Sequence, residues 1–301
     1  MNVNEIKGFH VELTNMCTLK CPGCARTRFI EQWPKHWRNH SLDVIDLINF
    51  LDIDLSTTKI NLCGVYGDPI YHPDFLQVVQ KLKHKGAKLS ITTNGSYKTD
   101  SWWKHLTSML AEEDKIVFSV DGLPENFTEY RVNGDWHSIK QGMDVVANAR
   151  CKSAWKYIVF SFNEENIAQA EEICKNIGLG RFIIDYSDRF DEQTVKFIPT
   201  SEIHVGPQYN SQELFKQGKT SCVDPKCKNN REHYISADGY YSPCCFVADH
   251  RFYYKTEFGK NKKHYSIKNN TISALLSNSD VENFYSNLQS KSVCQYNCPK
   301  I

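Results

Sequence analysis

The sequence predicts an α/β fold: a partial (β/α)6 barrel of parallel strands carrying a small cysteine-rich C-terminal domain. Three observations predict it. From residue 8 to about 198, short apolar strands alternate with longer amphipathic stretches; a polar loop follows each strand; after about residue 200 the rhythm gives way to turns, aromatics and cysteine. Parallel neighbours need a crossover long enough to hold a helix, so regular alternation favours a parallel sheet. The division expected is a core over 1–200 and a tail domain over 201–301.

Taken in order, the strands are expected near GFHVEL (8–13), KINLCG (59–64), KLSITT (88–93), KIVFSV (115–120), YIVFSF (157–162) and RFIIDY (181–186). Each is a short run of β-branched and aromatic residues bounded by turn formers. Helices are expected near 41–51, 74–86, 99–112, 138–149 and 166–177. In the last of these, Ile167, Ala170, Ile173, Cys174 and Ile177 share one face. The loops CTLKCPGC, YGDPIYHP, TNGS, DGLPE and NEEN all fall at C-terminal strand ends, the rim where sheets of this kind place their sites.

The chain has 301 residues, with 36 Lys+Arg against 35 Asp+Glu, a net charge of +1. That balance removes the basic surplus of a dedicated nucleic-acid binder. No apolar run approaches a bilayer span, and the start lacks a secretory pattern, so a soluble cytoplasmic chain is expected with no membrane partner. Twelve cysteines are the outlier. Without a secretory context, metal ligation is the better reading than a disulfide framework, and Cys63, Cys151 and Cys174 are read as small core residues.

Cys17-Thr-Leu-Lys-Cys21-Pro-Gly-Cys24 packs three thiols into one loop directly after the first strand. Three thiolates can hold three irons of a 4Fe-4S cluster and leave the fourth open to a non-protein ligand. Zinc competes for such pairs but wants four closed ligands, and His10 is the one histidine nearby in sequence. A CxxxCxxC loop after the first strand of a six-strand α/β body resembles the radical S-adenosylmethionine superfamily, and GFHVELTNMCTLKCPGCAR looks like that family's first strand and cluster loop.

The resemblance implies that the open iron chelates S-adenosylmethionine and that reductive cleavage yields a 5′-deoxyadenosyl radical. Tyr66-Gly67-Asp68-Pro69 stands where the family has Gly-Gly-Glu-Pro, so Gly67 and Asp68 are expected at the methionine ammonium, the carboxylate on a shorter stem. Ser119, with Asp121 as a second candidate, is expected at the ribose, Arg131 near the methionine carboxylate and Asn163 near the adenosyl group. Gly23 stands where many members carry an aromatic ring against adenine, so that packing must come from elsewhere, such as backbone near Ala25 or the loop holding Phe29.

In the tail, Cys227, the turn SADGYYSPC ending at Cys244, and the pair Cys294 and Cys298 can close a complete 4Fe-4S site. This resembles the twitch and SPASM tails of some family members, which hold an auxiliary cluster. Cys222 could replace Cys227 and Cys245 could replace Cys244, and four thiolates would suit zinc equally well.

The function implied is hydrogen abstraction from a peptide or protein side chain, ending in oxidation or cross-linking, fed by a reductant such as flavodoxin or ferredoxin. The alternatives are oxidation of a small sugar-like alcohol and, from another class, a non-catalytic iron–sulfur or zinc scaffold. Phe29, Trp33, His36, Trp37 and His40 are candidates for the substrate mouth, and Asp121, Glu165 and Asp188 are candidate bases. The basic, aromatic stretch 250–270 reads as a solvated loop or insertion that could touch an acidic or polymeric substrate.

Overall fold

The computed structural model describes residues 3–187, 189–205, 223–225, 227, 232–249 and 252–298. Cys222 and Asp188 lie outside them. Strands and helices alternate as β1 (Gly8–Val11), α1 (Ala25–Gln32), α2 (Val44–Phe50), β2 (Lys59–Leu62), α3 (Phe75–His84), β3 (Lys88–Thr93), α4 (Asp100–Ser108), β4 (Lys115–Ser119), α5 (Trp136–Ala147), β5 (Lys152–Val159), α6 (Ile167–Ile177) and β6 (Phe182–Tyr186). A hairpin of β7 (Glu232–Ile235) and β8 (Tyr241–Ser242) follows. The sheet order is β6-β5-β4-β3-β2-β1-β7-β8. Every pair is parallel except β7 with β8, so β1 to β6 form the partial α/β barrel in chain order.

Alternation along each strand separates two faces. Phe9 pairs with Ile60, and Ile60 with Leu89, and all three are buried in the main core beneath the helices. The next register row, His10, Asn61 and Ser90, faces the barrel interior and is polar. The helices that cover the outside follow from pattern and caps. α3 buries Phe75, Val78, Val79 and Leu82 at one-turn spacing. Asp43, Thr99 and Asp135 cap α2, α4 and α5 by accepting from backbone N–H groups of the first turn.

Some expectations change. β5 begins at Lys152, five residues before the expected 157, because Lys152 and Lys156 made its first half look like a loop. α1 was not anticipated: of its eight residues only Thr27 is buried, so it carries no apolar stripe. Cys151 and Cys174 do lie in the core, but Cys63 does not. It shares the interior face of β2 with Asn61, where its thiol donates to the Gly64 carbonyl at 3.8 Å. The stretch expected to be solvated after 250 instead buries Phe252, Tyr253, Phe258, Tyr265 and Ile267 in the same apolar cluster as the barrel core. The Asp238-Gly239 turn joins β7 to β8 as a hairpin, and β7 docks on β1 with Gly8 opposite Glu232.

Candidate active site

The cluster loop sits on the rim beyond β1, and Cys24 forms the N-cap of α1. Cys21 is buried and Cys17 and Cys24 half-buried. Nitrogen donors point at two of the sulfurs: Leu19 N at 3.4 Å and Asn94 Nδ2 at 3.6 Å from Cys17 Sγ, and Arg131 Nη1 at 3.9 Å from Cys21 Sγ. Burial, then the charge of Asp68, pushes the Cys17 thiol up to about 12; burial, opposed by Arg131, takes Cys21 to about 11. Thiols this reluctant to ionise become thiolates when a metal supplies the positive charge, and donors aimed at sulfur suit that state. The loop therefore fits a cluster bound through three thiolates. Among the described residues no three His, Cys, Asp or Glu converge on a single ion site, but a cubane's thiolates each hold a different iron and need no common point.

Gly67 follows from close approach. A Cβ there would stand 1.9 Å from the Thr14 carbonyl oxygen, so the loop after β2 packs backbone to backbone against the segment that leads from β1 into the cysteine loop. Its N–H donates to Glu12 Oε1 at 3.1 Å, as does Tyr66 N at 2.6 Å, while Tyr234 Oη on β7 donates to Glu12 Oε2 at 2.8 Å. Glu12 is 2% exposed. Burial raises its pKa and the three donors oppose the rise.

Asp68 is 5% exposed and tied to the end of β3: it accepts from Thr93 Oγ1 at 2.9 Å and from both Asn94 N and Asn94 Nδ2 at 2.6 Å. Burial takes its pKa up to about 6 against those bonds. The shorter carboxylate is thus braced by Thr93 and Asn94. Asn94, one amide spanning Asp68 and Cys17, was missed by sequence reasoning although it lies in the TNGS loop.

Ser119, Asp121, Arg131 and Cys21 come together. Arg131 donates from Nε to Asp121 Oδ2 and from Nη2 to Ser119 Oγ, both at 2.6 Å. Burial works against its charge, but Asp121 and Cys21 outweigh burial and raise its pKa. Asp121 is fully buried and also accepts from Ile158 N at 2.9 Å, so it is an ion-pair partner with no oxygen left for a base. Asn163 is likewise fully buried. Its Oδ1 accepts from Phe160 N at 2.7 Å and its Nδ2 donates to the Ile158 carbonyl at 3.0 Å, so it shapes the turn after β5 rather than offering a free amide. Glu165 is exposed.

Farther along, Cys227, Cys244, Cys294 and Cys298 line one small cavity walled by Phe246, Val247, Phe284 and Val293. Burial and the neighbouring Cys227, Cys244 and Cys298 push Cys294 up to about 12. Cys245 is not in that lining. All the described cysteines are free thiols. A second cavity of about 200 Å³ opens between β1, Tyr66 and the β7–β8 hairpin. Of the expected mouth residues, Phe29, Trp37 and His40 line it and Trp33 and His36 do not.

A parallel partial barrel with three thiols on the rim of β1, and amide and guanidinium donors turned toward them, is the framework of a cofactor-binding α/β-barrel protein. A family model described as the Radical SAM superfamily matches residues 11–177, more than half of the chain, and the chain belongs to that superfamily. Membership implies a 4Fe-4S cluster and S-adenosylmethionine. The chain is 32% identical over 124 residues to the tungsten-containing aldehyde ferredoxin oxidoreductase cofactor-modifying protein of Pyrococcus furiosus, covering 40% of this chain and 32% of that one. It thus spans about a third of that relative's length. To a probable GTP 3′,8-cyclase of Methanococcus maripaludis it is 22% identical over 266 residues, covering 81% of this chain and 87% of the relative. Among solved structures, anSMEcpe with bound AdoMet aligns with a TM-score of 0.64 at 13% identity over 97% of this chain and 86% of that one. SuiB of Streptococcus suis bound to its precursor peptide SuiA aligns at 0.61 and 14% identity over 95% and 67%. Likeness at these identities is one of fold. Among the described residues, no helix is long and apolar enough to cross a membrane.

Proposed function

We propose that this protein is a radical S-adenosylmethionine enzyme that removes hydrogen from a peptide or protein side chain, with oxidation or cross-linking as the net result. A second 4Fe-4S cluster on Cys227, Cys244, Cys294 and Cys298, in a tail domain over 201–301, would take the electron left on the substrate. The supporting observation is the grouping of seven thiols: three on the β1 rim and four, from three separate chain segments, around one apolar cavity. Bound at the rim, the cluster and S-adenosylmethionine supply the 5′-deoxyadenosyl radical.

The chain's own residues bind and orient. Gly67 and Asp68, braced by Asn94, would meet the methionine ammonium; Arg131, charged and next to Cys21, would face the methionine carboxylate, and Ser119 the ribose. Asn163 holds the β5 turn on the adenosyl side. The aromatic walls of the larger cavity would exclude water from a reactive radical.

Several relatives are named for nucleotide chemistry. A nucleoside triphosphate would call for a cluster of cations, whereas among the described residues the basic groups lining the larger cavity are Lys262 and His40, with Lys262 2.6 Å from Asp238. That lining favours a side chain over a triphosphate.

Anaerobic reconstitution with iron and sulfide, then dithionite or reduced flavodoxin and S-adenosylmethionine, tests the reading: 5′-deoxyadenosine should form above the no-enzyme control. Replacing Cys17, Cys21 and Cys24 together by Ala should abolish it and remove about half the iron, since each cubane holds four. Cys294→Ala should keep cleavage and lose substrate turnover. Cleavage that survives loss of the front triad overturns the assignment.

A further inference from the structure

We propose that the cavity between β1, the Tyr66-Gly67 loop and the β7–β8 hairpin is the substrate pocket and that it selects a cationic side chain, an ammonium on an alkyl stem. Its use in turnover rests on the radical chemistry proposed above; its binding preference does not.

Phe29, Trp37, Tyr66, Tyr234, Tyr253 and Tyr254 give it aromatic walls drawn from four parts of the chain. Among the described residues its lining carboxylates are Glu12 and Asp238. Lys262 is committed to Asp238 at 2.6 Å, and Glu12 faces three hydrogen-bond donors with the His10 ring nearby. Aromatic faces attract a desolvated cation through the ring quadrupole, and the attraction grows where water is excluded.

This part of the molecule already shows that chemistry twice. Lys262 Nζ lies 4.2 Å from the centroid of the Tyr240 ring, and Arg26 approaches the Trp37 ring to 5.8 Å. A separate observation marks the place of a missing polar partner. Tyr253 lines the cavity, is 9% exposed, and its buried hydroxyl has no hydrogen-bond partner. Buried hydroxyls are nearly always paired, and an orphan on a cavity wall calls for a ligand group. An ammonium N–H donated to Tyr253 Oη would pair its acceptor side.

The test uses the reconstituted full-length protein and three probes: the methylamides of N-acetyl-lysine, N-acetyl-norleucine and N-acetyl-glutamate. Binding is read by calorimetry or ligand-observed NMR, with and without saturating S-adenosylmethionine. The lysine probe should bind at least about tenfold more tightly than its uncharged isostere, and the glutamate probe most weakly. Equal binding of lysine and norleucine probes, or displacement of the lysine probe by S-adenosylmethionine, would overturn the proposal.

Tyr253→Phe removes an unpaired buried hydroxyl, so the variant should be as stable as the parent. It should weaken the lysine probe about fivefold and leave the norleucine probe unchanged. No change with lysine overturns the role given to the hydroxyl. Formation of 5′-deoxyadenosine without this selectivity sinks the pocket alone, and selectivity without 5′-deoxyadenosine sinks the radical chemistry alone.

Discussion

The hydroxyl of Tyr130 stands 2.4 Å from the point where a Cβ on Gly23 would lie. The position before the third cluster cysteine is therefore glycine because an aromatic from the segment after β4 already fills the space. Tyr130 stacks on Phe160 with ring centroids 4.1 Å apart and meets Phe197 edge-on at 5.3 Å, in a small apolar cluster that includes Leu19 and Cys21. Tyr130 thus sets an aromatic ring beside the cluster loop where residue 23 carries no side chain.

Gly23→Ala should cost about 1–3 kcal/mol, the usual range for overpacking. The clash is with the hydroxyl, since Tyr130 Cζ would be 3.4 Å away, an ordinary contact. Tyr130→Phe should therefore restore most of the loss. Urea unfolding of the four proteins in the double-mutant cycle measures it, and strictly additive costs would remove the explanation.

Asp121 and Arg131 form a buried pair whose halves differ in how much else they hold. Asp121→Asn leaves the guanidinium without its carboxylate beneath Cys21 and should cost about 3–5 kcal/mol, with weaker retention of the rim cluster. Arg131→Met also removes a charge that faces sulfur and Ser119. It should lower iron content and affinity for S-adenosylmethionine more than the stability loss alone accounts for. Thermal unfolding alongside iron analysis separates the two effects.

The strands and the cysteine groups could be read along the chain because each rests on local signals: an apolar run between turn formers, or thiols a few residues apart. What escaped depends on contacts between distant segments. Tyr130 reaches Gly23, and Asn94 reaches both Cys17 and Asp68, with nothing in their immediate neighbours to announce it. Cys63 looked like core because Leu62 beside it is core, yet strand alternation turns the next residue inward. The same alternation hid the first half of β5, where Lys156 faces the barrel interior and pairs with Asp185 at 2.5 Å. The docking of β7 on β1 joins residues more than two hundred apart, and no periodicity carries such a register.

His10 gives a pH prediction. Burial works against its charge, but hydrogen bonding and charge at Cys63 outweigh burial, aided by Glu232, and raise it from 6.5 to about 9. The groups facing it are Cys63 after β2, Glu232 and Tyr234 on β7, and Glu12 farther along its own strand. A histidine raised in the folded state contributes stability that is fully present below about 6.5 and is lost as pH rises through about 9. Cys63→Ser should remove the thiol's raising influence and lower the ring from about 9 toward its ordinary value, which NMR titration of the His10 ring protons would show. A titration unchanged in Cys63→Ser would assign the shift to the Cys63 carbonyl, 2.6 Å from His10 Nε2, and to Glu232.

Tyr234 and Glu12 tie the hairpin to the barrel. Tyr234→Phe leaves a carboxylate that is 2% exposed with two donors in place of three. The expected cost is about 1–3 kcal/mol, because the lost partner served a charged and buried acceptor. A functional consequence separates this from ordinary packing loss. Glu12 Oε1 holds the N–H groups of Tyr66 and Gly67, so loosening its other oxygen should loosen the loop expected to meet the methionine ammonium. Affinity for S-adenosylmethionine should fall several-fold in Tyr234→Phe. Tyr241→Phe, equally buried on β8 but bonded to His233 at 2.8 Å, should lose comparable stability with cofactor affinity intact. Equal loss of affinity in both variants would mean that hairpin packing in general, rather than the Tyr234–Glu12 bond, sets the loop.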